Sequence, residues 1–460
     1  MAYQSINPND EKISQTFKEL TDKEINSAIT TAADCFEVWK NKTFKERSAI
    51  VSKAAELMQS NVDDYAKPVT LEMGKLFAEA QGEVKLSADI IDYYSKNAEK
   101  FLATEKLSPK SGQAEIHNYP FGIIFGVQPW NFPYYQLARF AAPNIMAGNV
   151  VMVKHAGSVP KCALAFEKLW IDAGAPKGLY TNLFVSHDQV NMIIDDPRIK
   201  GIALTGSAEA GKTVAARAGK NLKKSTMELG GSDAFIILED ADLEKTIQWA
   251  MWAKMNNTGQ CCIAGKRFIA VEPIADRFLE KFKIAMDSLK SGDPMDPKTT
   301  LGPLSSESAL IKILSQVKQA VDHGATLVMG GHRLDRPGYF MEATILSDIQ
   351  PTNPAYHEEF FGPVALFFKV KTEIDAVKLA NDSEFGLGGC VFTKDVSRGK
   401  KIAEQIDTGM MFINHPTWTT ADLPFGGIKN SGYGRELSSL GIQEFVNKKL
   451  IRTESIDGPA

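Results

Sequence analysis

The chain has 460 residues, of which 44% are hydrophobic and 23% charged, with a formal net charge of −4. These are ordinary globular values, and at about 100 to 200 residues per domain they imply two or three domains with an ample core. The charge balance, with no basic run, speaks against nucleic acid or an anionic membrane as partner, and no apolar stretch approaches the roughly 18 residues of a membrane span.

The N-terminal stretch MAYQSINPNDEK has no basic region followed by an apolar run, so no secretory signal is expected. Five cysteines, odd in number and including the adjacent pair Cys261–Cys262, argue against a disulfide framework and for a reducing, cytoplasmic setting. The first 100 residues read as helices. Thr21-Asp-Lys-Glu24 and Thr43-Phe-Lys-Glu46 are capping-box patterns, and Ile25, Ile29, Ala32, Phe36 and Trp39 follow at helical spacing. SPKSGQAEIHNYPFG, from Ser108 to Gly122, reads as a hairpin or arm. From Gly122 to about Gly230 short β-branched runs (GIIFGVQP, VVMVKH, YTNLFVS, IKGIALTG) alternate with helical stretches, which implies βαβ units and a parallel sheet. A second α/β series runs from Ser232 to about Asn414, with DAFIILED, KRFIAVE, ATLVMGG, PVALFFKV and GGCVFTK as strands. The Gly-rich PFGGIKNSGYGRE and a strand-like tail, FVNKKLIRTES, close the chain.

One motif competes for attention. LTGSAEAGKT contains G-x-x-x-x-G-K-T from Gly206 to Thr213, between a strand and a helix, which is the setting of a P-loop. Four fixed positions match by chance in about a few per cent of chains this long, so a nucleotide triphosphatase remains open at this point. Three other segments carry chemistry. In NNTGQCCIAGKR, a cysteine is either a buried small hydrophobe or a nucleophile, which needs a depressed pKa or a local base. In TMELGGSDAF, Glu228 before Gly230-Gly231 is either a solvated loop charge or a general base, the glycines letting it swing or a substrate approach. In GVQPWNFPYYQLARF, Asn131 is either a turn residue or a hydrogen-bond donor aimed into a pocket.

In this order, Trp130-Asn131-Phe132-Pro133, Glu228-Leu229-Gly230-Gly231 and Gly259-Gln260-Cys261-Cys262 resemble the signatures of the aldehyde dehydrogenase superfamily. TLEMGKLFAEAQGEV, EEFFGPV and PFGGIKNSGYGRE are similar to family segments too, so the resemblance covers nearly the whole chain. It implies an α/β fold with two Rossmann-like domains and a small β oligomerisation arm. Residues 1–107 and 122–230 would form the dinucleotide-binding domain, 231–423 the catalytic domain, and 108–121 with 440–460 the oligomerisation arm and tail of a homodimer or homotetramer.

The resemblance also implies the chemistry. Cys262 would be the nucleophile, Asn131 the oxyanion donor and Glu228 the base that activates water. Lys154, Trp130, Gly206, Ser207, Glu359 and Phe361 would hold the cofactor, and no metal is implied. The P-loop match then becomes the pyrophosphate turn of a dinucleotide site, and Lys212 a helix-surface lysine. Where the family commonly has K-P-x-E, this chain has Lys154-His155-Ala156-Gly157. Loss of that acid removes repulsion toward a 2′-phosphate, so the cofactor is read as NAD or NADP. Arg139, eight residues after Asn131 and so about two turns along one helix, matches an arginine of the branch that oxidises succinate semialdehyde, where it would clamp the distal carboxylate, with Thr420 assisting. Asn256 stands where some members carry a second arginine, a departure that leaves another small aldehyde as the alternative substrate.

Overall fold

The computed structural model describes residues 3–458; the first two residues of the N-terminal stretch and the last two of the tail lie outside them. Two parallel sheets organise the chain. In the first, the spatial order is Lys224–Glu228, Ile199–Thr205, Ile123–Gln128, Val150–His155, Tyr180–Asn182, with the two-residue strand Gly432–Tyr433 antiparallel at one edge. The runs of Ile, Val and Met that marked these strands are buried on both faces, as helix-covered parallel sheets require. The chain starts at Ile123–Gln128, winds outward on one side and then returns to the other. The order therefore reverses between Ile123–Gln128 and Ile199–Thr205, and the crevice beyond such strand ends is where open α/β sheets take ligands.

The second sheet has seven strands, in the order Thr326–Met329, Thr344–Ser347, Val364–Val370, Gly265–Val271, Asp233–Ile237, Gly389–Phe392, Phe412–Ile413. All neighbours but the first pair are parallel. Each sheet has its own apolar core: one gathers around Trp39, Tyr94, Phe125 and Phe166, the other around Phe235, Phe268, Phe278 and Phe282. A third, antiparallel sheet joins distant parts of the chain. Gln113–Pro120 pairs with Glu105–Leu107 on one side and with the full length of Val446–Thr453 on the other. Leu450 and Ile451 stand on it 60% and 42% exposed.

Both N-terminal capping boxes form, at Thr21 and Thr43. The reading of the first 100 residues as helical needs one correction: Tyr3–Ile6 and Ile13–Phe17 form an antiparallel hairpin before the first helix. Its second strand is exposed and polar, so it carries little alternation to reveal it. The hairpin is held from outside, through Tyr3 Oη donating to the Val185 carbonyl at 2.9 Å and Gln4 N donating to Gly157 O at 3.0 Å.

Candidate active site

The nucleophile loop is built under strain. Asn257 and Thr258 have φ of 55° and 56°, and Gly259 follows at 74°. Left-handed backbone at non-glycine residues, one of them β-branched, costs on the order of 1–3 kcal/mol each and persists only where the surroundings enforce it. Here they do. The Glu79 carboxylate accepts from Asn257 N at 3.2 Å, Thr258 Oγ1 donates to Gly302 O at 3.2 Å, and Gln260 Oε1 accepts from Ser305 N at 2.9 Å. A side chain at Gly259 would meet Gly362 O at 2.2 Å, so only glycine fits the turn. The loop delivers Cys261 buried and Cys262 half-buried.

A buried ammonium holds the far side. Lys266 Nζ donates to the carbonyls of Cys261 and Cys262 at 2.8 and 2.6 Å and pairs with Glu359 at 3.1 Å. The two thiols share a hydrogen bond and titrate as a pair. That bond lowers Cys261 and raises Cys262. Burial raises both, the Lys266 charge helps Cys261 ionise, and the Glu228 carboxylate opposes ionisation of Cys262 while Arg139 favours it.

Asn131 is tied to this loop directly. Its Nδ2 donates to Gln260 O at 3.0 Å, leaving its second N–H free, and Asn257 Nδ2 returns a bond to Asn131 O at 2.8 Å. Asn131 does not share a helix with Arg139, as the eight-residue spacing suggested; it lies on the loop before Tyr135–Ala147, which carries Arg139. That loop is anchored by a buried pair the sequence did not reveal. Lys75 Nζ bonds Glu83, donates to Asn131 O at 2.9 Å and lies 3.6 Å over the Phe132 ring. The other Glu83 oxygen accepts from Tyr134 N and Tyr135 N at 2.8 and 3.2 Å, capping the helix that follows.

Glu228 ends its strand, buried, and its pKa is raised to about 7 by burial, against the pull of Arg139 and with the help of Glu436 and Glu359. That is a useful value for a base near neutrality. The glycines after it allow close packing. A side chain at Gly231 would meet Cys262 O at 2.7 Å, and one at Gly230 would meet Glu359 Oε2 at 2.3 Å. Arg139 is 1% exposed. Its Nη2 donates to Glu228 Oε2 at 3.1 Å and Thr205 Oγ1 at 3.0 Å, its Nη1 donates to Tyr135 Oη at 2.9 Å, and its Nε lies 2.5 Å from Glu436 Oε2. Thr419 Oγ1 is 3.4 Å from Tyr135 Oη, while the buried hydroxyl of Thr420 beside it has no protein partner.

The remaining residues gather at the carboxyl ends of the first sheet. Lys154 ends Val150–His155, its ammonium 5.6 Å over the Tyr3 ring and lowered from its ordinary value by burial, with Glu19 opposing. Gly206 and Ser207 follow Ile199–Thr205. Ser207 is exposed and caps the helix Ala208–Lys220 by accepting from Ala210 N at 3.3 Å. Lys212 pairs with Glu209 at 3.0 Å on the solvent face of that helix, so the apparent P-loop lysine is a surface lysine with an acidic partner. Glu359 accepts from Gly231 N at 3.0 Å, and Phe361 meets Trp130 edge-on at 5.9 Å. A dinucleotide fits these groups. A side-chain carbon at Gly157 would meet only the Tyr3 ring, at 3.7 Å, which leaves room beside Lys154, and the helix N-terminus offers backbone N–H groups to a pyrophosphate.

An adjacent cysteine pair, an amide tied to the same loop and a glutamate raised to about 7, beside a dinucleotide crevice, describe a covalent oxidoreductase site. The chain belongs to the aldehyde dehydrogenase family, whose model matches residues 1–451. It is 47% identical to succinate-semialdehyde dehydrogenase (NADP(+)) of Deinococcus radiodurans, over 98% of this chain and 94% of that one. It is 42% identical to succinate-semialdehyde dehydrogenase (NADP(+)) 1 of Mycobacterium tuberculosis, over 98% of this chain and 99% of the other. Among solved structures it is similar to succinic semialdehyde dehydrogenase from Streptococcus pyogenes in complex with NADP+, with a TM-score of 0.98 and 46% identity, covering 99% of this chain and 100% of that one. Among the described residues no helix is long and apolar enough to cross a membrane.

Proposed function

We propose that the protein oxidises succinate semialdehyde to succinate with NADP as the hydride acceptor. The observation that carries the substrate is Arg139, a buried guanidinium beside Glu228; the buried hydroxyl of Thr420 has no protein partner. A cation in that position suits an aldehyde with a distal carboxylate, and the names of the similar proteins point the same way. Gly157 and Lys154 support NADP through space and positive charge, with Gly206, Ser207, Trp130, Glu359 and Phe361 as the other cofactor contacts.

The Cys262 sulfur, as thiolate, attacks the aldehyde carbon and forms a C–S bond. Asn131 and the Cys262 backbone N–H hold the resulting oxyanion; one such donor contributes about 3 kcal/mol in acyl-transfer enzymes. A nicotinamide cofactor held by Lys154, Ser207, Glu359 and Phe361 would supply the acceptor for the hydride leaving this carbon. Glu228 then takes a proton from water as the water oxygen attacks the thioester carbon. The C–S bond breaks, Cys262 leaves as thiolate, and the product departs as a carboxylic acid. The exposed apolar edge of the arm, with Leu450 and Ile451, supports assembly into a homodimer or homotetramer.

An aldehyde panel with NAD and with NADP, read at the reduced-nicotinamide band, tests this reading. Succinate semialdehyde should exceed butanal, its uncharged equal in length, and Arg139→Ala should erase the difference. Equal rates for the two aldehydes in the parent protein, or activity surviving in Cys262→Ala, would overturn it.

A further inference from the structure

We propose that Arg139 restrains the base Glu228 until a substrate carboxylate displaces it, so that hydrolysis is switched on by the correct acyl group. This rests on the proposed role of Arg139 as the carboxylate clamp. The Tyr135 and Phe425 rings lie against the guanidinium at 4.7 and 4.8 Å, at 81° to each other. Its N–H donors point outward in the guanidinium plane, so a carboxylate pairs with it along its edge, and the edge is occupied by Tyr135, Thr205, Glu228 and Glu436.

Of these four, Glu228 and Glu436 are the two anions, and Glu228 is the one at the longer distance from the guanidinium, 3.1 Å against 2.5 Å. Glu436 is fixed by its backbone, which exchanges hydrogen bonds with Phe425 at 2.7 and 2.8 Å. Tyr135 and Thr205 are neutral and do not compete for charge. Glu228 keeps its backbone pinned, its carbonyl accepting from Gly206 N at 3.0 Å, but its side chain hangs on one hydrogen bond, and its second oxygen, Oε1, is buried without a partner. A buried carboxylate oxygen with nothing to accept from gives the group little reason to stay once Arg139 is taken by another anion. Exchange of one carboxylate for another at the same cation costs no net ion pairing. It also leaves Glu228 free to turn toward the thioester on Cys262.

The charges agree. Arg139 favours ionised Glu228, while Glu436, Glu359 and Cys262 face it as acids. Once a substrate carboxylate takes the guanidinium, that pull is lost, and Glu228 binds protons more tightly and is the stronger base. An uncharged acyl group leaves the restraint in place and is hydrolysed slowly. Discrimination would thus fall on the second half of the reaction as well as on binding.

The test separates release from clamping. Acetyl-enzyme is formed on Cys262 with p-nitrophenyl acetate, and its hydrolysis is followed by intact mass, with and without propionate, which supplies the missing carboxylate. At pH 9 propionate should speed hydrolysis by about threefold to tenfold, saturating at the concentration where it competes with succinate semialdehyde, and should move the lower pH limb of hydrolysis upward. Arg139→Gln should hydrolyse fast without propionate and ignore it. If propionate competes with succinate semialdehyde yet changes neither the rate nor the pH limb, the release idea falls and the clamp stands. If it does not compete at all, the clamp falls, and the release with it. The propionate comparison uses the unaltered protein and decides even if the variant does not fold.

Discussion

Replacing Lys75 with methionine keeps a chain of similar length and removes one buried charge. In the structure this leaves the Glu83 carboxylate buried with only its bonds from Tyr134 N and Tyr135 N. Removing one partner of a buried pair costs about 3–5 kcal/mol, because the other charge loses its compensation. The same change frees the Asn131 carbonyl from one of its two donors, since Asn257 Nδ2 still holds it. The amide of Asn131 then wanders from the oxyanion position, and losing such a donor reduces kcat by on the order of a hundredfold. Urea unfolding and steady-state kinetics measure the two effects separately. Adding Glu83→Gln to Lys75→Met removes the orphaned charge, so stability should recover by at least about 1 kcal/mol while kcat stays low. The account of this pair is wrong if Lys75→Met destabilises by less than about 1 kcal/mol, or if the double variant regains activity along with stability.

Glu228→Gln should keep a first-turnover burst of reduced nicotinamide and lose about a hundredfold or more in steady turnover; a vanished burst would place Glu228 before the thioester instead. For the unaltered protein and an uncharged aldehyde, steady turnover should fall as pH drops through about 7, where Glu228 takes up its proton, and a profile flat down to pH 5 would contradict that assignment. The two glycines should differ under substitution. Gly231→Ala pushes on the Cys262 backbone and should lower kcat more than tenfold, whereas Gly230→Ala meets the movable end of Glu359 and should chiefly raise the cofactor KM. Peroxide should inactivate the protein reversibly by joining Cys261 to Cys262, and Cys261→Ser should abolish that reversibility; unchanged recovery by reductant in the variant would remove Cys261 from the process.

Much of the fold was legible because its signals are local. Ile123–Gln128, Val150–His155 and Gly265–Val271 announce themselves as β-branched runs, and the threonines at 21 and 43 announce their helices through glutamates three residues on. The N-terminal hairpin was not legible, since its partners are Val185 and Gly157, far along the chain. The site divides in the same way. Cys262, Glu228 and Asn131 stood out beside glycines and prolines in motifs of a known family. Lys75, Glu79 and Glu83 lay in a segment noticed only for its likeness to that family. Nothing in the sequence marked them as buried, and only packing against Asn131, Asn257 and Tyr134 turns them inward. Lys266, on a strand, and Glu436, between elements, were missed because their acid and guanidinium partners, Glu359 and Arg139, lie far along the chain.

The position of Glu436 sets an order on how the site can come into being during synthesis. The cysteine pair leaves the ribosome more than 150 residues before the acid that shares Arg139 and the ring of Phe425 that covers one face of it. A chain interrupted between them carries a thiol beside Arg139 and Glu228 with no Glu436 to balance the cation and no ring to seal it. Such a chain has reactive parts without the enclosure that disciplines them, so fidelity in this protein depends on the segment from Phe425 to Glu436 being made and seated.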